Sequence, residues 1–169
     1  MKKRLIALAL LSAASGSTLG ATGNYNATVN AISDASITPT TDLHFGAMQP
    51  QVGAACVMAA AGTVSGDCDS SNANISIGLI TVSNLVANTP MNVTVTGSGG
   101  ANVAFAAQYD INNAAGTHDG VADGVQTAIT TNGTADDITI DVYGTMTVTT
   151  ALTPGSTYTA EYVVDVSFQ

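Results

Sequence analysis

The sequence predicts an all-β fold, an immunoglobulin-like two-sheet sandwich, with a closed barrel as the alternative. Three observations carry this expectation. Apolar and polar residues alternate with period two over long C-terminal stretches, the pattern of a strand with one buried face. Turn-forming Gly, Pro, Asn and Asp clusters separate these stretches, and about seven or eight short strands with hairpins and longer connections suit a sandwich. Beyond the N-terminal leader, no segment repeats apolar residues at helical spacing with caps over three turns.

Taken along the chain, Ala27, Val29 and Ala31 alternate with Thr28 and Asn30 as a first strand, and Leu43-His44-Phe45 forms a short piece after Pro39. Gly53 to Ser71 reads as a loop. Ile75-Ser76-Ile77 and Gly78-Leu79-Ile80-Thr81-Val82 read as one strand bulged at Gly78. Met91, Val93 and Val95 alternate before Gly97-Ser98-Gly99-Gly100, and Val103, Phe105, Ala107 and Tyr109 alternate after it, which predicts a hairpin. Asn112 to Gly124 reads as a second loop. The strongest alternation is Ile138, Ile140, Val142, Gly144, Met146 and Val148. Thr153-Pro154-Gly155-Ser156 then has the chemistry of a type II turn, and Tyr158, Ala160, Tyr162, Val164, Val166 and Phe168 alternate to the penultimate position, so these two runs predict another hairpin.

The three cations, Lys2, Lys3 and Arg4, stand together before Leu5-Ile6-Ala7-Leu8-Ala9-Leu10-Leu11 and a small-residue stretch, the layout of a secretory signal peptide over residues 1–21. Cleavage falls between Gly16 and Ala21, with Ala21 taken as its end; the apolar run is shorter than the ~20 residues of a membrane span. The remaining residues, 22–169, form one domain that keeps all 12 acids and none of the 3 cations, a formal charge of −12. Without cations to neutralise phosphates, nucleic-acid binding is excluded, as is direct binding to an anionic membrane. Arginine clamps, lysine Schiff bases and lysine-bearing phosphate loops are excluded for the same reason. The charge does not imply disorder, because 46% of residues are hydrophobic and only 9% charged. With no Trp and eight Phe and Tyr in all, the core is expected mainly from Val, Ile, Leu, Met and Ala.

Cys56 and Cys68 are the only cysteines, and an exported pair is expected to form a disulfide closing the stretch Val57 to Asp67, whose Ala59-Ala60-Ala61-Gly62 has little else to order it. Catalytic patterns do not emerge. His44 and His118 are the only histidines, and His44 is expected at an exposed strand position. There is no GxSxG and no HExxH, and the acids lack an aromatic sugar platform. The chain is therefore read as non-enzymatic, with no resident cofactor. One cation site is considered: Asp110, Asn112, Asp119 and Asp123, around Asp119-Gly120 and Asp123-Gly124, supply hard oxygen donors for Ca²⁺, although the EF-hand spacing is not met. A solvated acidic turn is the competing reading. Asn26-Ala27-Thr28, Asn92-Val93-Thr94 and Asn132-Gly133-Thr134 match the glycosylation sequon.

The segment Ala35-Ser36-Ile37-Thr38-Pro39-Thr40-Thr41-Asp42-Leu43-His44-Phe45-Gly46, with the C-terminal Thr157-Tyr158-Thr159-Ala160-Glu161-Tyr162-Val163-Val164-Asp165-Val166, resembles a family of secreted bacterial β-domains, domain-of-unknown-function family 4402. More broadly, a leader, a β-rich domain, one disulfide and a final alternating strand with a penultimate aromatic resemble pilin subunits of the chaperone-usher type, including the archaic and spore-coat-U-like branches. That resemblance implies a sandwich lacking one strand, completed by the N-terminal extension of the next subunit. It implies a groove along Tyr162, Val164, Val166 and Phe168, a donor around Tyr25, Ala27, Val29 and Ala31 within residues 22–33, and a periplasmic chaperone and outer-membrane usher as partners. The expected role is a secreted fibre or biofilm-matrix subunit. Two alternatives stay open: residues 25–33 as the first strand of a complete sandwich, and a monomeric surface or adhesin domain that binds Ca²⁺ or carbohydrate.

Overall fold

The computed structural model describes residues 35–169. The predicted signal peptide, the first predicted strand and the expected donor residues Tyr25, Ala27, Val29 and Ala31 lie outside the described residues. Among the described residues there are eleven strands and no helix: β1 (Ser36–Thr41), β2 (Ala55–Met58), β3 (Val64–Gly66), β4 (Gly78–Ser83), β5 (Pro90–Gly97), β6 (Val103–Asn112), β7 (Ala114–Ala115), β8 (His118–Ala122), β9 (Thr127–Thr131), β10 (Ile138–Val148) and β11 (Tyr162–Phe168). All pairings are antiparallel, in a sheet of seven strands and one of four. The predicted all-β sandwich is what forms.

β10, the segment with the clearest alternation, is the spine of the larger sheet. One side pairs with β6 from Thr139 to Val148, and β6 in turn pairs with β8. The other side is shared: β4 takes Ile138 to Val142, and β2 takes Gly144 to Thr147. The change of partner falls at Gly144, whose φ of 134° suits glycine and where a Cβ would run into the carbonyl oxygen of Ala106. β1 continues the sheet beyond β4, and β3 beyond β2. The smaller sheet has the order β11-β5-β9-β7.

The inward faces meet in one core. Ile80, Val82, Phe105, Ala107, Tyr109, Ile111, Ile138, Ile140 and Val142 come from the larger sheet, and Met91, Val93, Val95 and Ile129 from the smaller. Val, Ile and Met dominate as expected, but among the described residues no leucine is buried, and Phe45, Phe105 and Tyr109 supply the bulk. Phe105 is edge-on to Phe45 at 5.8 Å and to Tyr162 at 6.0 Å. The fully buried Tyr109 crosses between the sheets, donating its hydroxyl to the carbonyl of Val125 at 2.5 Å.

Both predicted hairpins are corrected. The type II turn at Thr153-Pro154-Gly155-Ser156 is present, with Ser156 N–H donating to Thr153 O at 3.2 Å and Gly155 at φ 81°. Yet β10 and β11 belong to different sheets, because β11 pairs with β5 and both sides of β10 are already occupied. Likewise β5 and β6 join only at a corner, where Phe105 N–H donates to Ser98 O and Gly100 N–H to Val103 O, before they enter opposite sheets. At that crossing a Cβ on Gly97 would meet the carbonyl oxygen of Phe105.

Both predicted loops contain strands. Within Gly53 to Ser71, β2 and β3 form a hairpin whose tip is ordered by Ala59 N–H to Thr63 O and Gly62 N–H to Ala59 O, each at 2.9 Å. Ala59-Ala60-Ala61-Gly62 therefore has hydrogen bonds of its own besides the disulfide. Within Asn112 to Gly124, β7 and β8 pair with β9 and β6. The N-terminal piece also moves: the strand is Ser36–Thr41, including Pro39, while Leu43-His44-Phe45 keeps only a single bridge from His44 to Ser76. That bridge also takes Ser76 out of the predicted strand, which starts at Gly78. The disulfide links Cys56 to Cys68.

Candidate functional site

A sheet edge carries unpaired backbone groups, and proteins usually blunt it. Most edges here are blunted. β1 contains Pro39 and a register shift between Pro39 and Thr41. β3 has three residues and β7 two. β8 contains Gly120, and its pairing with β6 shifts register between Tyr109 and Ile111.

β11 is different. Its seven residues run in unbroken register against β5, from Tyr162 opposite Gly97 to Phe168 opposite Met91, with no Pro, Gly or bulge. Among the described residues no strand pairs with its other side. Ser98 N–H donates to Glu161 O at 2.9 Å, and Gln169 N–H donates to Pro90 O at 3.1 Å. Because bonding alternates along an antiparallel pair, Val163, Asp165 and Ser167 also turn their backbone groups toward β5. Tyr162, Val164, Val166 and Phe168 therefore direct N–H and C=O to the open side.

The side chains of these same four residues form the inward stripe, and all four are half-buried against the core. Their neighbours on β5, Met91, Val93 and Val95, are at most 1% exposed. The contrast follows from position: β11 covers β5, and no described strand covers β11. Val163, 63% exposed, Asp165 and Ser167 face solvent. The stripe sequence analysis identified is therefore real, while the openness of its edge could not be read from its alternation.

Before the start of β11, beside Ala160, lies a cavity of about 660 Å³. Leu43, Phe45, Met48, Met146, Leu152 and Ala160 supply its apolar walls. One wall is held by the disulfide region, since Gln49 N–H donates to Asp67 O at 2.8 Å and Asp69 N–H to Ala47 O at 2.9 Å. The opposite lip is held by Leu152 N–H to Pro50 O at 2.8 Å and by Thr153 N–H to the Tyr158 hydroxyl at 2.7 Å. The latter bond, by stabilising the phenolate, lowers the Tyr158 pKa. Tyr162 sits over Gly78, and burial, with a smaller contribution from Asp42, raises its phenol pKa.

The candidate Ca²⁺ residues do not converge. Asp110 Oδ1 accepts from Gly120 N–H and from the Tyr143 hydroxyl, both at 2.6 Å. Asp123 Oδ1 accepts from Gly97 N–H at 2.7 Å, tying the start of the connection after β8 to the end of β5. Asn112 donates to Asp141 at 3.0 Å, and Asp119 is exposed on β8. Among the described residues no three His, Cys, Asp or Glu side chains are grouped to hold a metal ion. His44 is exposed, its Nδ1 accepting from Gly46 N–H at 2.8 Å, and His118 lies on β8 opposite Ile111. No protein-family model, curated protein or solved structure matches the chain.

Residues that sequence reading missed are those that shape the site without alternating bulk. Met48 and Leu152 join the cavity only through tertiary contact. The β9 pattern Thr127, Ile129, Thr131 has period two, but Thr131 reads as polar; it is fully buried because its Oγ1 donates to Val86 O at 2.5 Å and accepts from Thr89 N–H at 2.8 Å.

Proposed function

We propose that this chain is a non-enzymatic, secreted structural subunit of a bacterial surface fibre or matrix, assembling by β-strand complementation along β11. One observation carries the reading: among the described residues β11 is a seven-residue edge without Pro, Gly or bulge, while the other edges are short or interrupted. An incoming extended segment would pair with the open N–H and C=O groups of Tyr162, Val164, Val166 and Phe168 and place alternate side chains on their stripe. Main-chain bonds would supply affinity and the stripe would supply register. The leader-like N-terminus supports export through the periplasm, where a chaperone strand would protect the same edge before an usher exchanges it for a subunit strand. The resemblance to pilin subunits points the same way.

The test is an SDS gel of the mature protein, boiled and unboiled, on material sheared from cells and on purified protein. The expected result is a ladder that collapses to monomer on boiling, the signature of kinetically locked strand exchange. A single monomer band in every lane, from protein that melts cooperatively, would overturn the proposal.

A further inference from the structure

The cavity beside Ala160 differs from the rest of the surface in charge. The chain carries 12 acids, yet no Asp, Glu, Lys or Arg is among the described residues that line it. The shallow hollow on the outer face of β5 and β11, by comparison, includes Asp165. Apolar walls come from Leu43, Phe45, Met48, Met146 and Leu152, and a polar rim from His44, Asn72 and Asn74. A volume of about 660 Å³ lies within the range of small-molecule sites, which combine apolar walls with a few placed polar groups.

Local geometry fixes the rim. Gly46 sits at φ 77°, and a Cβ there would collide with Asn72 Cβ and Ile75 Cγ1, so the turn packs directly on Asn72. Asn72 in turn holds Asn74, whose N–H donates to Asn72 Oδ1 at 3.0 Å. His44 Nδ1 accepts from Gly46 N–H at 2.8 Å, which in the neutral ring leaves the proton on Nε2 as a donor. At the opposite lip the Thr159–Ala160 backbone lies against Gly100, where a Cβ would overlap the Thr159 carbonyl oxygen. These contacts are internal to the chain, so a ligand meets walls already in place and loses little affinity to ordering them.

We infer that this cavity binds an uncharged ring compound, apolar over most of its surface, with a hydroxyl at one end. The rings lie against Leu43, Met48 and Met146, and the hydroxyl meets His44 and the Asn72–Asn74 rim. An anion would be desolvated with nothing to pair it, since residues 22–169 contain no Lys or Arg. A cation would find no carboxylate on the described walls. A polyol would leave hydroxyls unpaired against Leu, Met and Phe side chains.

The site does not depend on strand complementation: it precedes β11 and leaves that strand's outer backbone groups uncovered. Methionine methyl labelling of the full mature protein gives the readout, by nuclear magnetic resonance. Met48 and Met146 line the cavity, whereas Met58 and Met91 are fully buried in the core and do not line it. The labelled protein is titrated with naphthol, with the naphthoate anion and with methyl glucoside. Naphthol is expected to move the Met48 and Met146 signals to saturation while Met58 and Met91 stay in place, and naphthoate to bind on the order of tenfold more weakly. His44→Phe, at an exposed position, is expected to weaken naphthol roughly fivefold, the loss of one hydrogen bond, with the melting temperature unchanged. Equal movement of all four methyl signals, or none up to the solubility of naphthol, would overturn the site. Naphthoate or methyl glucoside binding as tightly as naphthol would overturn the ligand class. Movement of Met48 and Met146 with protein concentration alone would put a protein segment in the cavity and overturn the small molecule as its occupant.

Discussion

The hydroxyl of Tyr143 donates to Oδ1 of Asp110 at 2.6 Å, and the same oxygen accepts the backbone N–H of Gly120 at 2.6 Å. Tyr143 on β10 and Asp110 on β6 thereby anchor β8 to the larger sheet. Asp110 stands directly opposite Asp141, so the two donors also relieve a cross-strand pair of like charges.

That relationship makes stability depend on alkaline pH. Burial, then the hydrogen bond to Asp110, raise the Tyr143 phenol well above the ordinary tyrosine value. In the unfolded chain the phenol ionises near pH 10. Above that pH the unfolded state binds fewer protons than the native state, so stability falls as pH rises. The contribution is complete below about pH 10 and is lost as pH climbs toward the raised native value. Urea unfolding from pH 8 upward is expected to show a steeper alkaline loss for the parent protein than for Tyr143→Phe; parallel curves would sink the assignment.

Proline substitution separates the two sides of β11. Val164 N–H faces the open side, so Val164→Pro is expected to leave the ladder to β5 intact, costing about 1–2 kcal/mol in lost packing while abolishing SDS-resistant multimers. Asp165 N–H is directed at β5, and Asp165→Pro is expected to cost about 3 kcal/mol. Chemical denaturation gives the stability difference, and the unboiled gel gives assembly; equal destabilisation by both variants would contradict the alternation.

The Cys56–Cys68 bridge joins two residues 12 apart in sequence. Its removal by Cys56→Ser with Cys68→Ser is expected to cost about 3 kcal/mol by loop entropy. That corresponds to a drop of roughly 10 °C in melting temperature. Since the hairpin also has backbone bonds, far-ultraviolet circular dichroism should retain its β signature at low temperature.

Asp123 accepts the N–H of Gly97. Asp123→Ala should therefore cost about 1 kcal/mol, equally with and without added Ca²⁺. A loss seen only in the presence of Ca²⁺ would instead make Asp123 a cation ligand.

How much was legible in the chain depends on the range of the interaction. Alternation requires only that each strand bury one face: Ile138 to Val148 forms as read, while the final strand keeps Tyr162 to Phe168 and leaves Tyr158 and Ala160 outside it. The Thr153 to Ser156 turn is equally local and is present. Strand partners were not legible: β10 and β11 are joined by a good turn but lie in different sheets. β2 and β9 escaped because Ala, Cys and Thr bury well in a close-packed interior yet contribute little to an apolar alternation.

The sequence by itself determined the all-β class, the acidic composition, the disulfide pair and the inward stripe of the last strand. Each follows from covalent order and side-chain period. Only the tertiary structure decided that β11 has no partner on its outer side among the described residues, that its four inward residues turn their backbone groups to that side, and that a cavity lies beside Ala160. Those properties depend on which strand lies beside which, set by the joint burial of both sheets' faces among residues far apart in the chain.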